Sequence, residues 1–271
     1  LWGVGGLSYG LGIRYLGMSL GNSVVLGFCA AFGALVPPMY YNIVPTEGKV
    51  TFTEMLASTG GQVVLLGVGV CILGIAVCGK AGMLKEKQLS DAEKKKTVAE
   101  FNLAKGLLVA ILSGILSAFF NFGLESGKPL AEAAVASGHD ALFANNVTFV
   151  VILWGGLATN LIWTTLLSIK NKSYKDFTNK TTPIRNNLLF SALAGTIWFL
   201  QFFFYGMGES KLGNGASSWI LHMSNIILSA NLWGIYRKEC HGVTQKTKTT
   251  ITAVIVVIIL SVVLVGIGNS L

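Results

Sequence analysis

The stretch Trp198-Phe199-Leu200-Gln201-Phe202-Phe203-Phe204-Tyr205-Gly206-Met207-Gly208-Glu209-Ser210-Lys211-Leu212-Gly213 has a counterpart at the start of the chain. Trp2 is followed at the same spacings by Tyr9, Gly10, Gly12, Leu16 and Gly17. The offset is 196 residues throughout, with six identities across sixteen positions. Both copies lie in apolar, nearly charge-free segments. Glycines and aromatics recur in such segments by chance, so the match gains weight only if topology requires it. Two copies running in opposite directions across a membrane are the mark of a transporter built from inverted repeats.

Composition points to a membrane. The 271 residues are 52% hydrophobic and only 12% charged, against about 25% charged in a soluble domain. The 33 glycines suit helices that pack closely in lipid. A net charge of +8 raises nucleic acid as a partner, but the basic residues sit in loops between apolar runs, where they set membrane orientation instead. No nucleic-acid partner is expected. Cys29, Cys71 and Cys78 lie in apolar runs and Cys240 in a basic loop, with no CxxC spacing. Neither a metal site nor a disulfide framework is indicated. The chain opens on Leu1, and thirteen residues precede Arg14, too few for a hydrocarbon core that needs about 20. The expectation is an N-terminus cut in mid-span, and no signal peptide is recognisable.

Charge-free stretches predict eight transmembrane helices. The first ends near Leu16; the others are 18–40, 60–79, 106–124, 141–169, 187–208, 216–236 and 250–271. Pro37 and Pro38 stand near the end of the second. Lys and Arg then count out by loop. Residues 79–105 carry seven, 170–185 five, 237–248 four, and Arg14 marks the first turn. The alternate loops carry one each, Lys49, Lys128 and Lys211, so the division is seventeen against three. The positive-inside rule places the rich loops in the cytoplasm and the C-terminus outside.

The first span then runs inward and the sixth outward, so the two motif copies are antiparallel. Five spans per repeat place the sixth visible span opposite the first. The expected fold is an all-α integral membrane protein: eight visible helices of a ten-helix, five-plus-five inverted-repeat transporter, truncated at its N-terminus. Residues 1–79 form the last three helices of the first repeat, 80–105 a basic cytoplasmic linker, and 106–271 the complete second repeat. Pro129 stands at a helix start in one outer loop, and residues 50–58 form a second short helix candidate. The Lys/Glu mixture of 85–100 reads as a solvated helix. Asn146, Asn171 and Asn179 match the glycosylation pattern by chance, two facing inside and one abutting a span.

No acidic residue occupies the middle of a span. The titratable side chain well inside one is His222, about six residues from the outer end of the seventh span. An ionisable group in lipid is a functional hypothesis by default, and histidine suits proton coupling; the competing reading is a neutral histidine bonded between helices. Glu125 and Glu209, at the outer ends of the fourth and sixth spans, read either as coupling or gating groups or as interfacial charges. Gln201, Asn121, Asn160 and Asn225 lie in or near the ends of spans, where an unsatisfied amide is costly. Trp198, Tyr205, Trp154, Trp163 and Tyr9 offer flat apolar faces. Amides beside rings suit a neutral polyol or sugar. Gln201 with Trp198 and Tyr205 is the leading substrate set, with Asn160 and Asn121 behind it. Gly6-x-x-x-Gly10 and Gly17-x-x-x-Gly21 permit close helix approach. No Walker loop, zinc-protease motif or Ser/His/Asp set occurs, so an enzyme and a nucleotide-driven pump are disfavoured and no cofactor is expected.

The chain also resembles the L-rhamnose–proton symporter family of the drug/metabolite transporter superfamily. The resemblance rests on Arg14-Tyr-Leu-Gly-Met-Ser19, Thr46-Glu-Gly48, Glu100-Phe-Asn-Leu103, Lys128-Pro129, Trp198-x-Leu-Gln-Phe-Phe-Phe-Tyr205 and Leu221-His-Met-Ser224, in order along the whole chain. It implies a ten-helix carrier of the bacterial inner membrane that imports a methyl-pentose on a proton gradient. The family's first two spans have no counterpart here, and Glu125 and Glu209 do not map onto family acids. The alternatives are a facilitator or exchanger for another sugar or metabolite, and a membrane sugar sensor that does not transport. The coupling ion, proton or sodium, and the oligomeric state stay open at this level.

Overall fold

A computed structural model describes residues 1–16, 18–88, 102–179, 183–213, 215–236 and 244–271. Among these the chain is helical without strands. The helices are α1 (Trp2–Leu16), α2 (Met18–Ile43), α3 (Phe52–Ala57), α4 (Thr59–Gln88), α5 (Leu103–Ser126), α6 (Lys128–Ala136), α7 (Asn145–Lys170), α8 (Ile184–Leu212), α9 (Gly215–Tyr236) and α10 (Gln245–Ser270). Short 3-10 turns occupy Ala141–Phe143 and Ser173–Thr178.

Each of the eight predicted spans coincides with a helix, the first of them 15 residues long. Five stretches among the described residues are long and apolar enough to cross a membrane: Val24–Ile43, Thr59–Val77, Ala104–Ala136, Ala141–Lys170 and Ile184–Leu212. The segment Thr252–Gly268 of α10 is a shorter apolar helix. Several helices outrun the apolar runs that predicted them. α4 continues through Lys80, Lys85 and Lys87 to Gln88, because Lys, Glu and Gln favour helix once the chain leaves hydrocarbon. Pro37 and Pro38 lie inside α2, which continues to Ile43. The two loop helices also form. Thr51 caps α3 in a reciprocal box with Glu54, and Pro129 stands in the first turn of α6. The reading of 85–100 as a helix falls beyond Gln88 outside the described residues.

The chain divides into two compact units. Unit 1 comprises Leu1–Glu125 with Leu212–Leu271, and unit 2 comprises Ser126–Lys211. In unit 1, α1 packs antiparallel to α5. A Cβ on Gly5 would lie 2.6 Å from the Ser117 amide nitrogen, and one on Gly12 would lie 3.4 Å from Ala110. Ser113 Oγ donates to the Gly5 carbonyl at 2.8 Å. Gly6 and Gly10, one of the two expected close-approach pairs, have nothing within 4 Å of where a Cβ would stand, whereas a Cβ on Gly21 of the second pair would lie 3.0 Å from Ile13; Gly5 and Gly12 carry the α1–α5 contact. α2 runs parallel to α5, with Gly114 against Val25 and Asn121 against Gly33. α4 and α10 pack antiparallel along their length. Gly60 faces Gly268, Gly67 faces Val265, and Gly74 faces Val257 and Ile258. Ser261 Oγ closes this seam on the Gly67 carbonyl at 2.8 Å.

In unit 2, α7 and α8 are antiparallel. Phe149 meets Phe202, and Asn145 reaches Gly206. Gly213 follows the last residue of α8 with φ of 67°. That left-handed position, open to glycine without a Cβ penalty, lets the chain leave α8 at Gly213.

Candidate functional site

The expected site residues divide between the two units. Trp198, Gln201 and Tyr205 stand on α8 at positions i, i+3 and i+7, so they share one face of the helix. Phe202 separates their chemistry. Its ring meets Trp198 at 4.8 Å, edge to face, and Phe149 at 6.3 Å. Tyr205 is buried and Gln201 half-buried, whereas Trp198 is 46% exposed. Asn160 does not join them. It lies eleven residues, roughly 16 Å of helix, beyond the Phe149 level of α7, and its Nδ2 donates to the Gly156 carbonyl of its own helix at 2.8 Å.

Asn121, Glu125 and His222 belong to unit 1. Asn121 is 1% exposed and donates to the Gly33 carbonyl at 2.8 Å. Its amide satisfies α2's backbone, a packing role in a dry environment where an orphan carbonyl would be costly. His222 is half-buried on α9. It ends a ladder of rings: Trp2 lies 5.1 Å from Phe120, Phe120 lies 6.3 Å from Trp219, and Trp219 lies 6.1 Å from His222. The ladder is anchored by Trp219, 2% exposed, whose Nε1 donates to the Cys29 carbonyl at 3.0 Å. One helical turn before His222, Ser218 is buried with its hydroxyl unpartnered among the described residues.

The two glutamates each have a lysine partner. Glu125 is 7% exposed, and Lys49 Nζ donates to its Oε2 at 3.1 Å and to its backbone carbonyl at 3.2 Å. The carboxylate also lies against Gly215, where a Cβ would come within 1.7 Å of Oε1. It therefore sits beside the first residue of α9, at the positive end of that helix. In unit 2, Glu209 is 4% exposed, with Lys128 Nζ 3.7 Å from Oε1. Asn145 Nδ2 donates to Glu209 Oε2 and lies 3.1 Å from the Gly206 carbonyl. Sequence reasoning named both acids but missed Lys49, Lys128, Asn145 and Trp219. Lys49 and Lys128 are the cations of two loops that carry one basic residue each, but Glu125 adjoins the Lys128 loop and Glu209 the Lys211 end of its own helix, so neighbourhood along the chain does not give the pairing.

Among the described residues no group of three His, Cys, Asp or Glu forms a metal site. Cys29 and Cys71 are buried thiols, and Cys71 Sγ lies 3.4 Å from Ser224 Oγ.

The family model described as L-rhamnose-proton symport protein matches residues 1–270. The L-rhamnose-proton symporter of Yersinia pestis (strain Pestoides F) is 38% identical over 275 residues, spanning 100% of this chain and 76% of the relative. The protein of the same description from Klebsiella pneumoniae (strain 342) shows the same identity and coverage. No solved structure matches the chain.

Proposed function

The chain belongs to the L-rhamnose-proton symport family, and from that premise we propose that it imports L-rhamnose together with a proton. It is a secondary active transporter rather than an enzyme. The observation that carries the substrate is the match over residues 1–270, which includes every motif on which the resemblance rests. Long apolar helices support a multi-pass protein of the inner membrane. Our orientation, with the basic loops cytoplasmic and the C-terminus outside, is supported by the seventeen-to-three division of Lys and Arg.

The ten-helix inverted repeat is also our proposal. Its supports are the repeated Trp-to-Gly motif, the antiparallel seam of α4 on α10, and the greater length of the relatives, of which this chain spans 76%. In that reading α1, α2 and α4 correspond to α8, α9 and α10. The repeat division at 79 and 106 follows the chain, whereas the compact units interleave it.

For the site, we assign proton coupling to His222. Its support is the half-buried ring at the end of an aromatic ladder, one turn from the unpartnered Ser218 hydroxyl. Glu125 and Glu209 stand behind it, because each carboxylate is already held by a lysine. Gln201, Trp198 and Tyr205 are the proposed sugar contacts, from their shared helical face. Asn160 and Asn121 are weaker members, their amides engaged with backbone carbonyls. Transport requires that sugar bind the inward and outward states differently, and coupling requires that protonation of the histidine change sugar affinity.

The test is external pH in lightly buffered, de-energised cells expressing the protein, on addition of L-rhamnose. Prompt alkalinisation, abolished by a protonophore in wild type and absent in His222→Gln, is the expected result. Rhamnose entry without alkalinisation in wild type would replace symport by facilitation or another coupling ion. Alkalinisation that survives in His222→Gln would move the proton elsewhere.

A further inference from the structure

Unit 1 contains a cavity of about 410 Å³ that the transport reading does not use. It lies between α2 and α4, with Leu107 of α5 also lining it. Phe28 and Phe32 of α2 and Ile75 and Met83 of α4 line it, and among the described residues Lys80 is the one charged side chain along its walls. The volume suits a small-molecule site, which runs to about 300–1,000 Å³. The lining does not suit a sugar, whose hydroxyls would find almost no partners between these walls.

Chain direction locates the charge. α2 and α5 begin, and α4 ends, at the end of the groove where Lys80 stands. That end leads into residues 79–105, which carry seven basic residues. The groove is therefore apolar inside a span and cationic where the span meets the membrane surface. One ligand chemistry matches both halves: a hydrocarbon chain joined to an anionic head. A bilayer supplies this chemistry to a groove between spans.

We propose that this groove binds one anionic phospholipid from the leaflet on the basic-loop side, its phosphate on Lys80 and one acyl chain between Phe28, Phe32 and Ile75. Hydrocarbon gains little by leaving other lipid tails, so selection over bulk lipid comes from the shaped cavity and the head-group charge. The site rests on the membrane reading alone and is independent of the sugar.

The experiment is native mass spectrometry of the purified protein with phosphatidylglycerol or phosphatidylethanolamine added in detergent. Phosphatidylglycerol is expected to be retained about fivefold over phosphatidylethanolamine, the factor corresponding to one lysine at an anionic surface. Lys80→Ala removes that preference, and Ala76→Phe, which fills the groove wall, lowers retention of both lipids. Equal retention of the two lipids by wild type overturns the proposal. So does an unchanged preference in Lys80→Ala, or unchanged retention in Ala76→Phe. Rhamnose uptake by the same variants, measured separately, keeps a failure here distinct from a failure of the transport assignment.

Discussion

The buried carboxylates are the residues on which the site's electrostatics turn. Glu209 is 4% exposed, and its lysine partner retains 25% of its side-chain surface. The pair is half wet, so its Coulomb energy is screened relative to a dry one. The stronger requirement is on the acid: a buried carboxylate left without its donors loses about 1–3 kcal/mol per missing partner. Lys128→Met is therefore expected to destabilise the protein by that order, seen as a lower midpoint of thermal unfolding in lipid or detergent. Adding Glu209→Gln should recover most of the loss, because the amide removes the unpaired charge while keeping an acceptor for Asn145. A double variant no more stable than Lys128→Met alone would mean that Lys128 acts through α6 rather than through Glu209. Neither partner of Glu209 was legible beforehand. Asn145 stands 64 residues before it in sequence and Lys128 farther still, and pairing at that range follows from the fold.

At the scale of helices, small residues decide which surfaces meet. The long α4 shows both outcomes on one element. At Gly60 a Cβ would stand 2.6 Å from the Gly268 carbonyl oxygen, an atom of the backbone that no rotamer change can move. At Gly69, nine residues on, a Cβ would meet nothing within 4 Å. Gly60→Val should force α4 and α10 apart and cost about 1–3 kcal/mol, the usual range for overpacking. Gly69→Val should change stability little. The comparison is a pair of thermal unfolding midpoints in the same detergent, and equal losses would overturn the seam described for α4 and α10. This distinction was invisible in the sequence. Gly6-x-x-x-Gly10 had the spacing of a packing motif, yet Gly5 and Gly12 make the contact. Spacing reports that a face is small, whereas the partner that fills it is set by the rotation of the helix about its own axis.

For the whole molecule, the legible features were those that lipid imposes on any sequence. The apolar runs became helices, five stretches among the described residues being long and apolar enough to cross a membrane, because a backbone in hydrocarbon must satisfy its own hydrogen bonds. Helix ends were less legible, since hydrophobicity stops at the membrane surface while helix propensity carries α4 on to Gln88. Direction was legible only through charge, and it makes a prediction that the helix packing supports in part. α1 against α5, α4 against α10 and α7 against α8 are antiparallel, and α2 and α5 are parallel, as strict alternation of spans requires. Alternation leaves one binary choice, which side faces the cytoplasm. Single cysteines at Glu47 and Lys175, both exposed, in a background with Cys29, Cys71, Cys78 and Cys240 replaced, resolve it. A membrane-impermeant maleimide should label Glu47→Cys in intact cells and reach Lys175→Cys only after the membrane is opened. The reverse pattern would invert the orientation while leaving the alternation intact, and it would place His222 nearer the cytoplasmic face. Labelling of both sites in intact cells would break the alternation itself, and with it the antiparallel relation between the two Trp-to-Gly motifs from which the inverted repeat was read.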